Sequence, residues 1–389
     1  MVELMANILV VSTTSVIGGA EIVLKSWIEN SKQNNYYILT TTDKSVSDFY
    51  KDITCENIKK LFFMNECSAV EKSFKNLPKF FINNIKIANM IKKVINKHDI
   101  DIVYGNNSLD CFPTLLCKLL YTPKIPVINH IHDMLSPKSS AGIMLKLLWK
   151  KTNYIFVPSN ATRDHLINLG IGEKVVKVVY NSVDIQENSN ISIEQLKSKY
   201  DIEPKKKVIL FAGRFDKNKN VELFIDIVND VSKYDNNILA LFTGIIGDEQ
   251  YFDLIKQKLK IVNFKYKILL NIEHEDMYQI YRISDILILT SHTESLPTVV
   301  LEAMANNLLV LARNVNGVRE IISHDYNGLV FEYDEKVSNI SNIILKMLDS
   351  DSKVKRVTLI NNGKKTINNK FTHHSKVNRV EEYINKLVN

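Results

Sequence analysis

Short apolar runs rich in valine, isoleucine, leucine and phenylalanine recur along this chain, separated for most of its length by stretches of helical character. Asn7-Ile8-Leu9-Val10-Val11-Ser12, Asp101-Ile102-Val103-Tyr104, Val127-Ile128-Asn129-His130, Val208-Ile209-Leu210-Phe211 and Asp285-Ile286-Leu287-Ile288-Leu289-Thr290 are of the kind that make strands buried on both faces. Further runs lie at 37–42, 154–159, 238–242, 267–270 and 309–312, while 57–64 reads ambiguously. Strands alternating with helices predict βαβ units and parallel sheets, an α/β protein. The alternation comes in two series, parted by the polar and charged stretch 185–207, which is expected to be a connection on the hinge side. A chain of 389 residues and 44.7 kDa with 45% hydrophobic residues is better accommodated by two domains than by one.

Chemistry-bearing residues gather where these strands end. After the run ending at Thr290, the segment Ser291-His292-Thr293-Glu294-Ser295-Leu296-Pro297-Thr298 leads into a predicted helix over 299–305 that carries Glu302. A loop at the carboxyl end of a strand, beside a helix N-terminus, is where open α/β folds bind ligands. Gly18 and Gly19 stand between the first strand and the next helix, where the absence of a Cβ lets backbone amides approach an anion. Their spacing is not the dinucleotide fingerprint. In the second series, Ala212-Gly213-Arg214-Phe215-Asp216-Lys217-Asn218-Lys219-Asn220 joins a strand to a helix and brings Arg214 and Lys219 to a helix N-terminus, a combination suited to a diphosphate. His130-Ile131-His132-Asp133 closes another strand, with no cysteine or carboxylate cluster nearby to complete a metal site.

Taken together, Glu294, seven intervening residues, Glu302 and the following Ala-Met-Ala resemble the signature of the retaining nucleotide-sugar glycosyltransferases of the two-Rossmann-domain (GT-B) type, family 4. The resemblance spans nearly the whole chain and is most specific over 213–331. It implies two Rossmann-like domains facing across a cleft: 1–185 on the acceptor side, 205–370 binding the nucleotide-sugar, and a final helix, 371–389, returning to the N-terminal domain. It further implies that Arg214 and Lys219 grip the donor diphosphate and that Gly18, Gly19 and Gly213 let backbone approach it. Glu302 is then expected on the ribose, Glu294 on the transferred hexose, Ser295, Leu296, Pro297 and Thr298 in the donor site, and His132 beside the sugar. The catalytic set implied is Glu294, His132, Arg214 and Lys219. Four family glycines are replaced here, by Ser182, Asn220, Asn271 and Asn316; asparagine tolerates the left-handed backbone better than other residues with a Cβ.

The implied reaction moves a hexose or N-acetylhexosamine, with retention, from a nucleoside diphosphate sugar, UDP-linked in preference to GDP-linked, to a glycan or polyprenyl-linked acceptor in bacterial surface polysaccharide or lipopolysaccharide synthesis. No prosthetic group and no metal are expected, since no Asp-x-Asp stands in a suitable loop and the basic side chains can do the work of a cation. A non-catalytic nucleotide-sugar or glycan-binding protein, or a nucleotide-sugar epimerase, are the alternatives on this architecture. Cys55, Cys67, Cys111 and Cys117 lack metal-site spacing and read as reduced thiols of a cytoplasmic protein. The formal charge of +7 comes without a nucleic-acid recognition pattern. No apolar run reaches the roughly 20 residues of a membrane span. Basic amphipathic stretches at 79–98 and 144–151 suit either an anionic membrane surface at the inner face of the cell membrane or ordinary packing on a sheet.

Overall fold

The computed structural model describes residues 5–67, 77–184, 191–273 and 276–388. The chain divides into two compact units: residues 1–182 with 373–389, and Val183–Thr372.

In the first unit the elements run β1 (Asn7–Ser12), α1 (Gly19–Asn30), β2 (Asn35–Thr41), α2 (Lys44–Lys51), β3 (Ile58–Met64), α3 (Leu77–His98), β4 (Ile102–Gly105), α4 (Cys111–Leu120), β5 (Val127–His130), α5 (Ser140–Leu148), β6 (Tyr154–Val157), α6 (Asn160–Asn168) and β7 (Val176–Val178). The strands form one parallel sheet in the order β3-β2-β1-β4-β5-β6-β7. Val10 lies opposite Ile38 on one side and Tyr104 on the other, and the whole of β4 and β5 is buried, the polar Asn129 and His130 of β5 included. The strand order reverses between β1 and β4, so the loops after Ser12 and Gly105 part in opposite directions and open a crevice at their carboxyl ends.

The second unit runs α7 (Ile193–Lys199), β8 (Lys207–Ala212), α8 (Val221–Val231), β9 (Ile238–Gly244), α9 (Glu249–Leu259), β10 (Lys265–Leu270), α10 (Met277–Ile283), β11 (Ile286–Leu289), α11 (Thr298–Ala305), β12 (Leu309–Arg313), α12 (Val318–Ile321), β13 (Leu329–Phe331), α13 (Val337–Leu348) and α14 (Lys353–Lys370). Its parallel sheet has the order β10-β9-β8-β11-β12-β13, with the reversal between β8 and β11. A core centred on Phe211, Phe215, Phe224, Phe242 and Ile288 fills one side of it. The stretch expected to be a connection is partly structured: Ser192 and Gln195 form a capping box that starts α7, and Leu196 is buried. Residues 185–190 of that stretch lie outside the described residues.

The last helix, α15 (His373–Val388), belongs to the first unit. Val380, Tyr383 and Ile384 are buried with Trp27, Ile28 and Tyr36, and Glu381 accepts hydrogen bonds from Ser31 Oγ at 2.5 Å and from Asn34 Nδ2. Ser182, in place of a family glycine, is outside the left-handed region, and its hydroxyl lies 2.9 Å from His373 Nδ1, so a side chain is accommodated and used. The described non-glycine residues with positive φ are all aspartate or asparagine, and include Asn220 (φ 50°), Asn271 (φ 54°) and Asn316 (φ 31°), the three positions where asparagine stands for glycine. The four cysteines are free. Among the described residues no helix is long and apolar enough to cross a membrane.

Candidate active site

In the second unit the reversal of strand order brings the loops after β8 and β11 side by side, and the predicted residues meet there. Lys219 Nζ lies 2.5 Å from Glu294 Oε1, and Ser291 Oγ donates to the same oxygen at 2.6 Å. Both charged side chains are largely buried, at 18% exposure for Lys219 and 10% for Glu294. Glu294 Oε2 accepts no hydrogen bond from the described residues. The backbone is held as firmly as the side chains: Thr290 Oγ1 donates to the Lys219 carbonyl at 2.9 Å, Asn218 Nδ2 to the Thr293 carbonyl at 3.1 Å, and Gly317 N to the Glu294 carbonyl at 3.2 Å.

Two glycines are demanded by close backbone approach. A Cβ on Gly244, whose φ is +145°, would lie 1.9 Å from the carbonyl oxygen of Gly213, and one on Gly317 would lie 1.8 Å from that of Ser295. Gly213 itself is at φ +157°, with the Lys219 side chain beside the place its Cβ would take. Asn220 caps α8 from the left-handed region, its Oδ1 3.4 Å from Leu223 N. Arg214 is 60% exposed and pairs with Asp216, Nε to Oδ2 at 3.1 Å; Asp216 also accepts from Lys219 N and so sets the turn that delivers Lys219 to Glu294. Its guanidinium keeps free donors.

Glu302, half-buried on α11, accepts from Tyr281 Oη of α10 at 2.6 Å. Burial, and then the Glu302 charge, push the Tyr281 phenol far above its ordinary value, so it stays a donor. Ser295 and Leu296 are buried, Pro297 precedes α11, and Thr298 is its first residue. The first N–H groups of that helix have no partner within it.

In the first unit Gly18 is extended at φ −136°, and its N donates to Glu21 Oε2 at 2.9 Å. A Cβ on Gly19 would meet nothing within 4 Å. Neither glycine is therefore required by backbone conformation. Glu21 is buried, which pushes its carboxyl up to about 7 against the lowering effect of the backbone hydrogen bonds, with Asp110 and Asp133 adding to the rise. Asp110 accepts from Thr13 N and Thr13 Oγ1. His132 lies against His130 with ring centres 3.9 Å apart and planes tilted by 32°, and its Nε2 is sealed from solvent without a hydrogen-bond partner among the described residues. Burial, then Lys376, push His132 down to about 3, a hydrogen bond with the Asn106 backbone acting the other way. The neighbouring His130 is held by Tyr104 Oη at 2.6 Å.

Among the described residues no group of three or more histidines, cysteines and carboxylates is placed to hold a metal ion. Tyr281, Ser291 and Lys376 were not foreseen. Ser291 adjoins the apolar run that ends at Thr290, whereas Tyr281 and Lys376 reach their partners only through tertiary packing and carry no local signal.

Residues 192–366 match the family model described as Glycosyl transferases group 1, and residues 17–187 that of Glycosyltransferase Family 4. The chain is 24% identical over 361 residues to an uncharacterized 41.2 kDa protein in the cps region of Klebsiella pneumoniae, covering 88% of this chain and 89% of that protein. It is 23% identical over 364 residues to the UDP-Gal:alpha-D-GlcNAc-diphosphoundecaprenol alpha-1,3-galactosyltransferase of Escherichia coli, covering 89% and 86%. Among solved structures, Anabaena HepE in complex with UDP-glucose superposes with a TM-score of 0.80 at 19% identity, covering 98% of this chain and 99% of that one.

Proposed function

The chain belongs to the glycosyltransferases of the two-Rossmann-domain class, related to family 4 and group 1, and on that premise we propose the roles of its residues and the substrates it takes. It transfers a hexose or N-acetylhexosamine from a UDP-sugar to a lipid-diphosphate-linked glycan in the assembly of a bacterial surface polysaccharide, with the anomeric configuration retained. One observation carries the reading of the site: Lys219, Glu294 and Ser291 converge on one carboxylate oxygen at the point where the second sheet reverses its strand order.

Charge accumulates on the leaving diphosphate as the glycosidic bond breaks. Arg214, exposed and tied only through one guanidinium nitrogen, supplies the remaining donors of its fork, and Lys219 has two ammonium protons beyond the one given to Glu294. Glu294 Oε2 takes a sugar hydroxyl as donor while Oε1 stays anchored. Glu302, oriented by Tyr281, receives the ribose hydroxyls. The open space over Gly19 leaves its N–H accessible to phosphate oxygens, and His132 is kept neutral by its burial. The diphosphoundecaprenol-linked acceptor of the E. coli relative supports a lipid diphosphate acceptor here.

Contact with the inner face of the membrane fits the surface of the first unit. Ile91 and Leu145 lie in the core, but Phe81, Ile82 and Ile85 of α3 and Ile143 and Leu147 of α5 are exposed beside Lys79, Lys86, Lys146 and Lys150. Each lysine facing anionic lipid contributes about 1 kcal/mol, enough for reversible attachment. Flotation with anionic vesicles, lost on neutralising these lysines, is the expected result; equal recovery with neutral vesicles removes the membrane claim alone.

Incubation of UDP- and GDP-sugars with polyprenyl-diphosphate glycans, followed by NMR of the product anomer, tests the reaction. A retained anomer from a UDP-sugar is expected. An inverted product overturns the retaining mechanism, and donor binding without transfer or hydrolysis overturns catalysis.

A further inference from the structure

Two residues before Glu294, His292 joins a group of side chains that the donor reading leaves unused. Arg313, the last residue of β12, is buried, and no described carboxylate pairs with it. Its guanidinium carbon lies 3.6 Å from the centre of the Tyr333 ring; Nε donates to the Tyr333 carbonyl at 3.1 Å and Nη2 to the same oxygen. Its Nη1 lies 3.2 Å from His292 Nδ1, and Tyr333 Oη lies 2.8 Å from that same nitrogen.

A guanidinium has donors and no lone pair. The Arg313 contact therefore makes His292 Nδ1 a bare acceptor, places the ring proton on Nε2 and makes the Tyr333 hydroxyl a donor. One imidazole nitrogen thus collects a donor from the end of β12 and another from the segment after β13. On the backbone side, His292 N donates to the Asn218 carbonyl at 2.7 Å, and Thr293 Oγ1 to Asn316 Oδ1 at 2.8 Å. A buried cation without a counter-charge is a costly way to fill space that an apolar side chain would fill more cheaply. What the cation obtains here is geometry.

We propose that Arg313, His292 and Tyr333 form a clasp that positions the loop of residues 290–294, and with it the Glu294 carboxylate. Its bearing on catalysis rests on the donor-binding role of Glu294. Arg313 is then a positioning residue, acting through the loop.

The clasp works only with His292 neutral. The charged and titratable groups around the ring are Arg313, Tyr333 and, from α8, Glu222. Although His292 is exposed, partial desolvation first, then Arg313, hold it below its ordinary value, with Glu222 acting the other way. A proton on Nδ1 would remove the acceptor from both donors and set cation against cation, so the loop loosens as pH falls.

His292→Asn keeps a side-chain acceptor and cannot titrate; Arg313→Met removes the clasp's cation at similar length. Hydrogen–deuterium exchange of residues 290–297, corrected for its intrinsic pH dependence, is compared at pH 7.5 and 5.0. The expected result is a rise of about fivefold at low pH in the wild type, none in H292N, and fast exchange at both pH values in R313M. With UDP-glucose, UDP-galactose and UDP-N-acetylglucosamine as donors tried, the donor KM should follow the same pattern with kcat within about twofold, as expected for lost uniform binding. The same pH dependence in wild type and H292N, or wild-type protection in R313M, overturns the clasp. Clasp-like exchange without turnover of any donor supports the clasp and counts against the donor reading, whereas turnover with undisturbed exchange in every variant does the reverse.

Discussion

Replacing Lys219 with methionine removes one member of a largely buried ion pair and leaves Glu294, 10% exposed, with the Ser291 hydroxyl as its remaining side-chain donor. Breaking a buried pair from one side costs about 3–5 kcal/mol, because a charge is left uncompensated. A hydrogen bond to a charged group contributes about 1.5–3 kcal/mol net, and Ser291 already makes that bond, so it softens the loss without replacing the ammonium. We expect about 2–3 kcal/mol, which in a unit of this size lowers the midpoint by roughly 5–10 °C. The assay exploits an asymmetry in the sequence. Both tryptophans, Trp27 and Trp149, lie in the first unit, so their fluorescence follows that unit while far-UV circular dichroism follows both. Lys219→Met should shift the dichroism transition and leave the fluorescence transition in place. The double variant K219M/E294Q, which leaves no unpaired charge, should recover to within about 1 kcal/mol of wild type. Transfer should fall by about 100-fold or more in both variants, because stability can be restored and the donor contacts cannot. A single variant as stable as wild type, or a double variant as unstable as the single one, would refute the reasoning.

Gly19→Ala places a methyl group in open space at the start of α1 and should leave stability unchanged or raise it by up to about 1 kcal/mol, while donor KM rises at least tenfold; an unaltered KM removes Gly19 from the diphosphate site. Asn220→Ala should cost about 2 kcal/mol, through left-handed strain and loss of the α8 cap, whereas Asn220→Gly relieves the strain and should cost about 0.5 kcal/mol; urea denaturation that ranks the two alike contradicts this account. Glu21 has its folded value raised to about 7, above its unfolded value, so its contribution is most favourable below about pH 4.5 and is lost as pH rises through 7. The stability difference between wild type and Glu21→Gln should therefore swing towards the variant by on the order of 3 kcal/mol between pH 4 and pH 8, and a difference that does not change with pH would count against it.

How much of this was legible beforehand depended on whether the deciding interactions were local. Buried parallel strands advertise themselves as unbroken apolar runs, so β1, β4, β8 and β11 could be read directly. In the edge strand β3, Ile-Lys-Lys-Leu-Phe-Phe-Met, only Met64 is buried and the rest are half-buried or exposed without alternation, so its pattern is correspondingly ambiguous. The αL asparagines could be foreseen because backbone conformation is a property of a single residue. The capping box at Ser192 was equally local and would have revealed α7 inside a stretch whose polarity masked it. The carboxylates and basic residues of the loops after β8 and β11 stand in the sequence as a spaced motif. Their supports were not: Tyr281 beneath Glu302 and Arg313 beside His292 depend on which strands become neighbours, and no window of sequence contains that information.

The membership of α15 in the first unit has a consequence for synthesis on the ribosome. The chain emerges from its N-terminus, and the surface formed by Trp27, Ile28 and Tyr36 is made long before Val380, Tyr383 and Ile384 arrive to cover it. Between them the whole of Val183–Thr372 must be translated, which at about 5–20 residues per second takes roughly 10–40 s. During that interval the nascent first unit carries an exposed apolar face, with the Ser31 hydroxyl and the Asn34 amide nitrogen awaiting Glu381, while the second unit, uninterrupted in sequence, has all it needs to fold as it leaves the tunnel. The half of the protein that begins first is thus the half that finishes last.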